Sequence, residues 1–158
     1  MWNWFVSVLA SKASIVLFDG SPMYKKDDLL LKIANKENIT LLGIRAKYID
    51  TIRKINKDYK KLYRLPKLRT ICSTGYPLSQ DSFDYVYKNI KKNVHLASIS
   101  GGTDIVSCFV LGNLYQSVYS GEIQNKVLGM DVRVFNEKGK SIYNKKGELV
   151  CANPFPSM

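Results

Sequence analysis

The sequence predicts an α/β fold, a mostly parallel sheet flanked by helices, with a small antiparallel β unit at the C-terminal end. Three observations predict it. Short apolar, β-rich runs recur as "SIVLF", "ITLLGI", "LRTICS" and "VHLASIS". The stretches between them carry apolar residues at helical spacing. Beyond Gly121 the texture changes to alternation in "GMDVRVF" and a short run "GELVC", separated by the turn-forming "NEKG" and "NKKG". Strand and helix in alternation argue for parallel strands joined by covering helices.

Taken in order, the opening "MWNWFVSVLASK" reads as a buried helix. Its apolar run is about half of the ~20 residues that span a bilayer, and no basic leader precedes it. "SIVLF" (14–18) is the first strand, closed by "DGSP". Asp27 can cap the next helix, which carries Leu30, Ile33 and Ala34 on one face. "ITLLGI" (39–44) is the second strand, followed by a helix presenting Tyr48, Ile52 and Ile55. "LRTICS" (68–73) is the third, broken by "TGYP". Ser79 then caps a helix with Phe83, Val86, Tyr87 and Ile90 inward, and "VHLASIS" (94–100) is the fourth strand. Residues 1–116 form the α/β part and 117–158 the start of a β subdomain. Both are expected to be incomplete, because the chain opens inside a core helix and stops just after a strand.

The 158 residues are 46% hydrophobic and 23% charged, which fits one globular domain and excludes a disordered chain. The net charge of +11 comes from 24 basic residues, 19 of them Lys and five Arg, scattered over expected helix ends and turns. That pattern reads as solvated surface; a nucleic-acid stripe would favour Arg. The reading is therefore no nucleic acid and no membrane. The three cysteines are far apart and show no metal-ligand spacing, so neither a zinc site nor a disulfide framework is indicated and a cytoplasmic setting fits best. The single histidine, His95, falls inside an apolar strand and reads as packed or surface imidazole.

Ligands of open parallel sheets bind outside the carboxyl ends of the strands. Two loops qualify by position: "STGYPLS" after the third strand and "SISGGTD" after the fourth. In the first, Gly75 lets a flat base approach the backbone, Pro77 fixes the loop, and the Tyr76 ring could lie against the base. In the second, Ser98, Ser100 and Thr103 offer hydroxyls to a phosphate, and Asp104 is a hard oxygen ligand of the kind Mg²⁺ accepts. Taken alone, "SISGGTD" is more often a structural turn or a helix cap and "TGYP" is equally a β-turn; two such loops at successive strand ends make the better case for a ligand.

The ordered set "STGYPLS", "SISGGTDIVSCF" and "GELVCANPFPSM", with "WNW" and "VLFDGSP" before it, resembles the acetoacetyl-CoA synthetases of the adenylate-forming acyl-CoA synthetase superfamily. The resemblance implies an acid–thiol ligase that couples acetoacetate, ATP and coenzyme A through an acyl-adenylate, with Mg²⁺ shielding the phosphates. It implies that Gly75, Tyr76 and Pro77 hold adenine. Ser98, Ile99, Ser100, Gly101, Gly102 and Thr103 would line the adenylate, with Thr103 at the α-phosphate. Asp104 would assist the metal, where the family usually has Glu. Thr74 and Gly101 would belong to the acyl pocket. At the position of Gly101 related acetyl-activating enzymes carry Trp, so a longer acid is expected here. The partners are small molecules. The family's phosphate loop, ribose Asp and adenylation Lys have no counterpart in these residues, so no catalytic residue is assigned and the chain alone is expected to be inactive. Two other readings remain: another short- or medium-chain acyl-CoA synthetase, or a nucleotide- or nucleic-acid-binding module without catalysis.

Overall fold

The computed structural model describes residues 7–157. Residues 7–10 are helical and Leu9 is exposed; the earlier part of the expected opening helix lies outside the described residues. The elements that follow are α1 (Leu29–Lys36), β1 (Leu41–Arg45), α2 (Ala46–Ile55) and a 3₁₀ turn (Tyr59–Lys61). Then come β2 (Thr70–Thr74), α3 (Gln80–Tyr85) running on as a π-helical turn (Val86–Ile90), β3 (His95–Ser98) and β4 (Ser100–Gly102). The chain continues through β5 (Ser107–Leu111), β6 (Asn125–Lys126), β7 (Val132–Phe135) and β8 (Glu148–Cys151). They form a three-stranded sheet β1-β2-β3, a three-stranded sheet β4-β5-β6 and the hairpin β7-β8. The first sheet is parallel and the other two are antiparallel, as the fold class requires.

The main core lies on one face of the parallel sheet. Ile44, Ile71 and Leu96 point into it from the three strands, and α2 supplies Ala46, Ile49 and Ile52. Phe83, Val86 and Ile90 close it from the third helix, and Leu31 and Ala34 from the first. Side chains alternate across a strand, so Cys72, Ala97 and Ile99 face the other way. There they meet Cys108 in a small second cluster, with Leu111 and Val127 packed on it.

Four local expectations are corrected. "SIVLF" (14–18) forms no strand, and Val16, Leu17 and Phe18 are exposed; the run has strand-forming residues but no ladder partner among the described residues. Asp27 does not cap α1. The N-cap position is Asp28, which makes no side-chain cap bond, while Asp27 accepts a hydrogen bond from Tyr59 instead. The inner face of α1 is Leu31 and Ala34, with Leu30 and Ile33 half-buried. In α2 the helix ends at Asn56 in the left-handed region (φ 55°), which leaves Ile55 exposed and makes Ile49 the buried partner of Tyr48 and Ile52.

Candidate functional site

All three parallel strands end at one edge of the sheet. The register sets Arg45 beside Thr74 and Ser73 beside Ser98. The segments 74–77 and 98–104 therefore leave from neighbouring strands, and the Ile99 N–H donates to the Ser73 carbonyl at 2.8 Å to stitch their bases together. Gly75 has φ +98°, a conformation that side chains rarely adopt, so the turn out of β2 needs glycine. Tyr76 and Pro77 are exposed, and Leu78 plugs into the main core just beyond them. The Tyr76 hydroxyl donates to Asp50 Oδ2 of α2.

The second segment differs from a glycine turn. The parallel strand stops at Ser98, and Ser100–Gly102 form β4, which pairs antiparallel with β5 across a register shift between Ser100 and Gly101. The turn proper is 103–106, closed by Val106 N–H to the Thr103 carbonyl at 3.1 Å. Gly101 is where the two backbones come closest. A Cβ there would lie 2.5 Å from both Cys108 Cα and the Ser107 carbonyl oxygen. At Gly102 the nearest atom is a flexible Ile105 carbon at 4.0 Å. The small residue at 101 is thus required by the approach of β5, whatever else it leaves room for. Ser98 and Ile99 are buried, whereas Thr103 and Asp104 are exposed at the tip. The tip is braced from the C-terminal side: Ser157 Oγ donates to the Ile105 carbonyl at 2.5 Å, and the Phe155 ring stands edge-on to Phe109, centroids 6.4 Å apart.

The edge carries few charges. Asp104 makes no ion pair among the described residues, and no trio of His, Cys, Asp or Glu side chains there could enclose a metal ion. One exposed carboxylate suits Mg²⁺ only as a single ligand completed by phosphate oxygens and water, which is how that ion ordinarily binds beside nucleotides. Two residues absent from the sequence reading stand at this edge. Arg45 ends β1 with its side chain 4.0 Å from where a Gly75 Cβ would be. A strand-end Arg in a Lys-rich chain was the available signal. Ser73 is fully buried, and its hydroxyl has no hydrogen-bond partner among the described residues.

His95 lies at the opposite, amino edge of the sheet. Its Nε2 donates to Gln124 Oε1 at 2.8 Å, and Gln124 in turn donates to the carbonyls of Asn113 and Gln116, both at 2.9 Å. It is a packed imidazole. A shallow cavity of about 300 Å³ beside Gln124, lined by Gln116, Ser117, Tyr119 and Glu122, involves none of the expected site residues. A second polar cluster ties the chain before α1 to the main core. Tyr48 donates to the Asp27 carbonyl at 2.9 Å, Tyr63 to Asp28 Oδ2 at 3.0 Å, and Lys57 lies 3.6 Å from Asp27 Oδ1. The hydrogen bond from Tyr59 holds the Asp27 carboxyl below the ordinary range. Burial, then the carboxylates, push the Tyr63 phenol up to about 12. Burial likewise raises the Cys72 thiol to about 12, so this buried cysteine is inert as a nucleophile.

A parallel sheet that carries "TGYP" at its carboxyl edge and, from the next strand, "SGGTD" agrees with the resemblance to the acyl-CoA synthetases. The comparisons with known proteins narrow that class. The chain is homologous, along its whole length, to a segment of the acetoacetyl-CoA synthetases. It is 50% identical over 158 residues to the acetoacetyl-coenzyme A synthetase of Rhizobium meliloti, covering all of this chain and 24% of that protein. To the acetoacetyl-CoA synthetase of Gallus gallus it is 47% identical over 156 residues, 99% of this chain and 23% of the relative. The solved acetoacetyl-CoA synthetase of Streptomyces lividans superposes with a TM-score of 0.89 at 35% identity, over 99% of this chain and 25% of that one. An anthranilate CoA ligase solved with anthranoyl-AMP shares the fold, with a TM-score of 0.71 at 18% identity over 87% of this chain and 25% of its own. No protein-family model matches the chain. The chain thus spans about a quarter of the length of the relatives it matches.

Proposed function

We propose that this chain carries the adenylate-binding edge of an acetoacetate–CoA ligase. The whole reaction joins acetoacetate to ATP, giving an acyl-adenylate and pyrophosphate, and then passes the acyl group to the thiol of coenzyme A with release of AMP. The observation that carries the proposal is the pairing of Ser73 with Ser98, which brings the loops after β2 and β3 to one edge. Gly75, Tyr76 and Pro77 hold the adenine. Residues 98–103 run beside the adenylate, with the Thr103 hydroxyl donating to the α-phosphate, and Arg45 adds a fixed positive charge at the same edge. Thr74 and Gly101 stand beside the acyl group, Gly101 as the small residue that the approach of β5 requires. Mg²⁺, when bound, neutralises phosphate charge, and Asp104 is the side chain that would hold it. Such sites work by positioning and electrostatic stabilisation more than by covalent chemistry. The phosphate loop, ribose Asp and adenylation Lys that the resemblance implies have no counterpart in these residues, so the reading for this chain is binding of the intermediate without its formation. The setting is the cytoplasm, with small-molecule partners and no nucleic acid or membrane. Among the described residues no helix is long and apolar enough to cross a membrane.

The test is equilibrium binding of a non-hydrolysable acetoacetyl-adenylate analogue to the chain. Binding should weaken on Thr103→Val and on Tyr76→Ala, and should change little between low and moderate salt. Binding indifferent to both substitutions would sink the proposal. A steep loss with salt, shared by any polyanion, would favour the nucleic-acid reading.

A further inference from the structure

The loop after β2 is held from outside itself. Asp50, on α2, accepts the Tyr76 hydroxyl at Oδ2 and the Ser82 hydroxyl at Oδ1, the latter at 2.5 Å. Ser82 also accepts Ser79 Oγ at 3.1 Å, so the carboxylate joins α2, the loop 74–77 and the first turn of α3. Arg53 Nε lies 4.0 Å from Asp50 Oδ1, and its guanidinium reaches Asp81 Oδ2 at 3.4 Å. The Asp50 side chain is only 20% exposed, while Tyr76 is 41% exposed. A tyrosine fixed at its hydroxyl and at its Cα cannot swing about χ1, so the half-exposed ring is held in one place. Without that tether the loop would pivot at Gly75, whose backbone has no side chain to restrain it. Fixing a contact surface before binding lowers the ordering cost of binding.

We propose that Asp50 is a positioning residue for the base-binding loop: it holds Tyr76 by the hydroxyl so that the ring, and not the hydroxyl, meets the nucleobase. This rests on the nucleotide reading of the loop. The experiment compares the wild-type chain with Asp50→Ala, Tyr76→Phe, the double variant and Asp50→Asn. The probes are AMP and ribose 5-phosphate, alongside amide hydrogen exchange of the free chain. Asp50→Ala and Tyr76→Phe should each weaken AMP about tenfold, the scale of one lost hydrogen bond to a charged group. The double variant should be no weaker than either single one, because both break the same tether. Ribose 5-phosphate, which has no base, should bind all variants alike, a result that general loss of structure would not give. Asp50→Asn keeps a carbonyl acceptor and should recover most of the affinity. Losses that add in the double variant, or an equal loss for ribose 5-phosphate, overturn the proposal. If the wild type binds no AMP, exchange at the Gly75 and Tyr76 amides decides. Acceleration in both single variants upholds the tether and makes the nucleotide reading the part that failed; unchanged exchange overturns the tether as well.

Discussion

The region before Ser100 and the region after it use similar residues to different ends. Among the described residues, every buried apolar side chain except Cys108 and Val132 lies at or before Ile99. The earlier region layers helices on a parallel sheet and seals Ile52, Ile71 and Phe83 completely. The later one is built from short antiparallel pairs and leaves Leu114, Tyr115, Leu128 and Tyr143 facing outward, Leu128 at 97% exposure. Stability and site precision therefore have separate sources. The first region fixes where the two candidate loops start, and the second forms the Thr103–Asp104 tip between β4 and β5 and braces it through Ser157 and Phe155.

The sharpest way to break that contrast is to truncate one side chain in each region. Phe83→Ala should cost about 3–5 kcal/mol, and Leu128→Ala no more than about 0.5 kcal/mol, read as shifts in a denaturant midpoint. Equal shifts would show that the later region carries its own core.

A smaller effect separates two neighbouring glycines. Gly101→Ala should cost roughly 1–3 kcal/mol, since its Cβ meets backbone that must move. Gly102→Ala should fall within about 0.5 kcal/mol. Faster exchange at the β5 amides in the first variant alone would locate the damage at the β4–β5 pair.

Smaller again is a pH effect confined to the earlier region. The Asp27 carboxyl is held low, mainly by the Tyr59 hydrogen bond, although burial works to raise it. A depressed carboxyl stabilises the fold above its unfolded value of about 3.8–3.9 and loses that contribution as pH falls through the folded value. The difference in melting temperature between wild type and Asp27→Asn should be present at pH 6, should shrink as the pH falls from about 4, and should vanish once the pH is below the folded value. A difference that persists unchanged at pH 2 would assign the effect to packing.

The mildest probe leaves the sequence untouched. A thiol reagent should modify half-exposed Cys151 first and Cys72 last, because Cys72 is buried and its thiol is raised to about 12. Early loss of the Cys72 thiol would mean that the sheet opens locally more readily than its burial implies.

Much of this was legible in the residues. The strands at 41–45, 70–74 and 95–98 are apolar runs bounded by breakers, and parallel strands covered on both faces look like that. "SIVLF" reads the same way, yet strand propensity carries no information about whether a neighbour is present to pair with. The two candidate loops were legible as places, because strand order follows sequence order here. The reason for Gly101 was not legible, since it depends on how closely β5 passes. Asp50 was equally hidden. Its partner lies 26 residues away, and nothing in "KYIDTIRK" distinguishes that acid from a solvated one. The Asp27–Tyr59 bond spans 32 residues and escaped for the same reason.

The outer strands of the parallel sheet have a consequence for handling the protein. Within the described residues β1 has a partner on one side only, and Leu41 at its start is about half exposed. An edge with no partner among the described residues is a row of backbone donors and acceptors on which an extended chain can dock. Recruitment of that kind is second order in protein, so it should set in as the solution is concentrated and reverse on dilution while the docked strands remain in register. Arg45, whose charge closes the far end of the same edge, would slow it, and working dilute would do more.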